Sequence, residues 1–147
     1  MPDPTSSIDR RTCLALAAAP LLAATTAQAQ GVNVTEAELK AMKLRPDGVS
    51  IDFPPLADTG FSVPLQADIV APAGLRIASI EVYLPENPNT RALRLRLPEP
   101  VTRYSFTTRL RLAGSQDAWV VATLTDGSRR GASAPTIITS SACFDGS

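Results

Sequence analysis

From Val49 to Leu124 the chain alternates apolar and polar residues with period two, in one short run after another. That period places successive side chains on opposite faces of a strand and rules out a helical stripe. Val49-Ser50-Ile51-Asp52-Phe53 is the first run, and Pro54-Pro55 stops it. Residues 61–70 alternate next. Pro64 within them lacks an N–H and predicts a sheet edge or a bulge at that point. Ile80, Val82 and Leu84 share one face of a run from Ile77 to Leu84. Residues 92–97 alternate Leu with Arg, a strand with one buried face and one wet face. From Tyr104 to Leu112, Phe106, Thr108, Leu110 and Leu112 oppose Arg109 and Arg111. Residues 118–124, around Trp119, are more uniformly apolar and read as a central strand. Thr125-Asp126-Gly127-Ser128 reads as a hairpin turn, because Asp-Gly accepts the positive φ of tight turns. Arg129 to Ser141 reads as the last strand and the start of a tail. About seven turn-separated strands predict an all-β fold, an immunoglobulin-like antiparallel β-sandwich.

A short helix precedes the strands. Thr35-Glu36-Ala37-Glu38 has the form of a capping box, in which Thr35 accepts from the Glu38 amide and Glu38 reaches back. Leu39 and Met42 are its expected apolar stripe, and Pro46 and Gly48 its end.

The first 29 residues read as an address. Arg10-Arg11 is followed by an apolar run from Leu14 to Leu22, and Ala27-Gln28-Ala29 offers the small residues of a cleavage site. The run is too short to span a bilayer core of about 30 Å. The alternative is a buried N-terminal helix. Four segments are therefore expected: a cleaved twin-arginine export signal at 1–29, a helical piece at 30–47, a β-sandwich at 48–139 and an arm at 140–147. The expected location is the periplasm.

Composition narrows the function. Lys and Arg balance Asp and Glu, giving no net charge and no electrostatic case for binding nucleic acid or an anionic membrane. The chain has no histidine, which excludes Ser-His-Asp and Cys-His nucleophile pairs and imidazole metal sites. It has no CxxC and no Gly-rich phosphate loop, so an enzyme is disfavoured and no cofactor is implied. Of the two cysteines, Cys13 lies in the export signal and Cys143 near the C-terminus. After cleavage Cys143 has no partner within the chain. In an oxidising compartment such a thiol is used, capped or paired with another protein.

Two further features stay open between a functional and a plain reading. Arg94, Arg96, Arg109 and Arg111 are either an anion-binding face or the solvated side of sheet strands. Pro85-Glu86-Asn87-Pro88-Asn89 is either a turn held in a defined shape for a purpose or an ordinary connection.

The export signal, the short helix, the all-β domain, the Glu86-Asn87-Pro88-Asn89 turn and Cys143 together resemble SoxY, the sulfur-carrier family of periplasmic thiosulfate oxidation. The resemblance implies pairing with a SoxZ-like β-sandwich subunit. It also implies that Cys143 is the covalent attachment point. A haem protein would join thiosulfate oxidatively to its sulfur, and hydrolytic enzymes would release sulfate from the adduct. The carrier itself would catalyse nothing. The family's arm ends in Gly-Gly-Cys-Gly-Gly, whereas here Ala142 and Phe144 flank the cysteine and Asp145 follows. Glycine leaves a thread-like arm free to enter deep sites. Phe144 adds bulk, and the charge of Asp145 acts to raise the thiol pKa, against activation. Wider partner channels, a different cargo or a lost carrier role would each accommodate this. From a different class, the protein is a non-catalytic assembly or binding module whose cysteine is vestigial or forms an intermolecular disulfide.

Overall fold

A computed structural model of the chain describes residues 33–140. It is a β-sandwich of a three-stranded sheet, β1-β3-β6, and a five-stranded sheet, β2-β8-β7-β4-β5. The strands are β1 (Val49–Asp52), β2 (Leu56–Ala57), β3 (Val63–Val70), β4 (Ile77–Tyr83), β5 (Arg91–Val101), β6 (Arg103–Leu110), β7 (Gln116–Leu124) and β8 (Arg129–Ile138). Seven of these follow the predicted runs.

The core fills the space between the sheets as the alternation requires. Val63, Leu65, Ala67 and Ile69 of β3 face Ile80, Val82, Ala118, Val120 and Ala122 of the larger sheet, all buried. The β7–β8 hairpin turns where expected. Gly127 takes φ of +83°, and Asp126 Oδ1 accepts from the Ser128 N–H at 2.9 Å, fixing the turn from inside.

Pro64 sits on β3, the middle strand of its sheet. The partner on one flank, β1, covers only residues 66–69, so Pro64 pairs with β6 alone, opposite Arg109. The missing N–H therefore falls on a locally open edge.

Helix α1 (Glu36–Ala41) is capped by Thr35 with the full reciprocal box. The Thr35 N–H donates to Glu38 Oε2 at 2.7 Å, and the Glu38 N–H donates to Thr35 Oγ1 at 3.3 Å. Leu39 is buried on the outer face of the five-stranded sheet with Tyr83, Trp119 and Val121. Met42 departs from the expected stripe. It is the C-cap residue and 36% exposed, and Val34 and Leu44 pack on this cluster instead. A helix of six residues presents too few turns for a second buried position.

The β-sandwich is as expected, with one parallel pairing added, between β2 and β8 through Leu56↔Ile137 and Ala57↔Ile138. Of the two readings of the arginines, the solvated side of sheet strands holds: Arg94, Arg96, Arg109 and Arg111 are all exposed, Arg94 and Arg96 on β5 of the larger sheet and Arg109 on β6 of the smaller, so they do not form one face. Arg94 pairs with Glu81 at 3.2 Å, while Arg109 Nη1 donates to Ser62 Oγ at 3.3 Å. Among the described residues no helix is long and apolar enough to cross a membrane.

Candidate functional site

Cys143, the residue singled out by the sequence, lies outside the described residues. What the fold describes is the base from which its segment starts. Strand β8 ends at Ile138, and the chain then continues alongside the segment that follows β2. The N–H of Thr139 donates to Ala57 C=O at 3.0 Å, and that of Ser140 donates to Asp58 C=O at 3.0 Å. The Ser140 hydroxyl also donates to the Asp58 carbonyl. Ile138 N–H donates to Ser115 Oγ at 2.9 Å, tying the strand end to the β6–β7 connection. The backbone is thus held up to Ser140, three positions before the thiol.

A cleft of about 470 Å³ opens at this base. Gly60 and Phe61 line it from the β2–β3 segment, Arg111 and Leu112 from the β6–β7 segment, and Ile138 and Ser140 from the end of β8. The first two segments touch closely. Leu112 N–H donates to Gly60 C=O at 2.7 Å. A Cβ on residue 60 would come within 2.3 Å of Leu112 O, so only glycine fits this approach. The Phe61 ring is 65% exposed, and the Arg111 guanidinium stands 5.4 Å from its centroid. That arrangement is a cation–π contact.

The Asn87 turn shapes this cleft from behind. Asn87 Oδ1 accepts from Ala113 N–H and from Gln116 Nε2, each at 2.8 Å, and its Nδ2 donates to Arg111 C=O at 2.7 Å. Gln116, buried, accepts in turn from the Glu86 N–H at 3.0 Å. One side chain therefore fixes both ends of the strip from Arg111 to Ala113. The sequence singled out this turn without its partners, which lie 24 to 29 residues further along.

Residues 35–143 match the family of the sulfur oxidation protein SoxY. This chain belongs to the SoxY family. The match includes both the Asn87 turn and, as its last residue, Cys143. Among solved structures the chain is similar to the sulfur carrier protein SoxY from Chlorobium limicola f thiosulfatophilum. The TM-score is 0.56 and the identity 19%, over 71% of this chain and 94% of that one. It is also similar to the E23A form of a superoxide reductase (neelaredoxin) from Ignicoccus hospitalis, with a TM-score of 0.50 and 18% identity, over 74% of this chain and 90% of that one. At such identities these likenesses concern the fold, an immunoglobulin-like β-sandwich. No curated protein matches the chain. Among the described residues no group of three or more His, Cys, Asp or Glu side chains is placed to hold a metal ion.

Proposed function

We propose that this SoxY-family protein is a covalent sulfur carrier and that Cys143 is its attachment point. The observation that carries the reading is the family match, which extends from the helix cap at Thr35 to Cys143. The held strand end supports it: a tether fixed up to Ser140 leaves the thiol three residues out, within reach of another protein's active site.

The chemistry balances with an outside oxidant. Thiosulfate adds through its terminal sulfur to Cys143 Sγ, forming an S–S bond. The thiol loses one proton, and two electrons leave to a haem-containing partner. Hydrolysis by a second enzyme then releases sulfate and leaves a persulfide on the carrier. The carrier supplies a nucleophilic sulfur and a tether, and catalysis belongs to its partners.

The same reading makes residues 1–29 a cleaved twin-arginine signal and the periplasm the working compartment. It also calls for a SoxZ-like β-sandwich subunit. The open side of the sandwich supports that partner. Strands β5 and β6 are both sheet edges, and their inward residues Leu93, Leu95, Leu97, Tyr104 and Phe106 are only half-buried. A second chain over this side would complete their burial.

Peptide mass spectrometry of protein from cells oxidising thiosulfate tests the assignment. A thiosulfonate or persulfide on Cys143 is the expected result. An unmodified thiol under every such condition would contradict it.

A further inference from the structure

Exposed apolar side chains gather where β8 ends, and the carrier chemistry itself does not use them. We propose that this corner is the docking surface for the enzymes that act on Cys143. Its cleft would take an acidic segment of such an enzyme, with a carboxylate on Arg111 and a neighbouring apolar side chain against Phe61 and Ile138. The proposal rests on the carrier reading, since it names where the partners of that reading bind.

Leu56, Phe61 and Ile137 are three of the five large apolar side chains exposed among the described residues, so most of that surface lies at one corner. Leu56 and Ile137 are register partners in β2 and β8, while Phe61 and Ile138 line the cleft. Successive residues of a strand face opposite ways, so Ile137 and Ile138 put apolar surface on both sides of the strand end. Single exposed apolar side chains need no explanation, whereas a gathered patch marks a contact.

Charge selects the occupant. Arg111 is exposed and makes no ion pair with a described carboxylate, and no Asp or Glu lines the cleft. A guanidinium beside an aromatic ring, with no acid next to it, complements a carboxylate that carries an apolar neighbour. The lining is also set before binding. Asn87 holds the strip from Arg111 to Ala113, and Leu112 N–H donates to Gly60 C=O at 2.7 Å. Little ordering then opposes association.

Position names the class of partner. Ser140 lines the cleft. Three further residues advance at most about 11 Å, at about 3.6 Å each. An enzyme that takes the Cys143 sulfur into its active site therefore brings its own surface up to this corner.

The test is thiosulfate consumption by a periplasmic extract from cells lacking this protein, restored with increasing amounts of the full chain purified from its own cells. Arg111→Ala should raise the chain concentration that gives half the maximal rate about three- to tenfold, and Phe61→Ala about tenfold, with the maximal rate unchanged. Phe61→Trp, which keeps an aromatic contact, should behave as the native chain does. Cys143→Ser should support no consumption yet inhibit the native chain by occupying its partners. Adding Phe61→Ala to it should weaken that inhibition about tenfold. A Cys143→Ser chain that supports the native rate would overturn the carrier reading and this proposal with it. If Cys143→Ser is inactive but Phe61→Ala and Arg111→Ala half-saturate at the native concentration, the carrier reading stands and the docking surface falls. Faster alkylation of Cys143 by iodoacetamide in Phe61→Ala would also overturn it, by pointing to the chain's own C-terminal residues as the occupant. Self-association of the native chain that Phe61→Ala abolishes would do the same, by pointing to a second copy.

Discussion

Gln116 Nε2 donates to Asn87 Oδ1 at 2.8 Å, joining the start of β7 to a turn 29 residues earlier in the chain. The same oxygen accepts from Ala113 N–H, so one amide side chain holds the wall of the cleft. Asn87→Ala should therefore cost about 1–3 kcal/mol, because it removes three hydrogen bonds at once, one of them to the buried Gln116 amide. Urea unfolding checks this: the midpoint should fall with an unchanged slope.

Gly60 makes the second structural prediction. The carbonyl of Leu112 occupies the place of its missing Cβ, at 2.3 Å. Gly60→Ala must push the β2–β3 and β6–β7 segments apart. A loss of about 1–3 kcal/mol is expected, as for other overpacked sites. Thermal unfolding measures it. An unchanged Tm would mean that the two segments separate freely, against the close approach described.

Tyr83 provides a pH signature. Burial, reinforced by the hydrogen bond to Glu81 Oε2 at 2.7 Å, pushes its hydroxyl up to about 12. The unfolded chain titrates near pH 10, so between those values the folded state holds a proton that the unfolded state has lost. Stability from this group is full below about pH 10 and falls as pH rises towards 12. The urea midpoint should drop across that window more steeply for the native chain than for Tyr83→Phe. Parallel curves would show that Tyr83 does not hold its proton through the fold.

The sandwich was legible because burial between two sheets writes a period of two into the sequence. Ile80, Val82 and Leu84, or Val63, Leu65 and Ile69, could be assigned to the core from spacing alone. The Thr35–Glu38 box was legible because it closes within one helical turn. Strand β2 was not, since two residues carry no period and its pairing with β8 is backbone to backbone. Nor was the sharing of the arginines between two sheets, which depends on where the β5–β6 connection crosses. At the site, the Asn87 turn announced itself by composition. Its grip on Arg111, Ala113 and Gln116 is a tertiary fact with no local sign. Gly60 and Phe61 were missed for the same reason. Cys143 stood out by elimination, from the absence of histidine and of a second cysteine after residue 29.

The central claim is that Cys143 carries sulfur. The most direct measurement is thiosulfate consumption by cells in which Cys143→Ser replaces the native chain at equal protein abundance. The account predicts that thiosulfate oxidation dependent on this protein is lost, because a hydroxyl cannot form the S–S bond. Consumption at the native rate would contradict it.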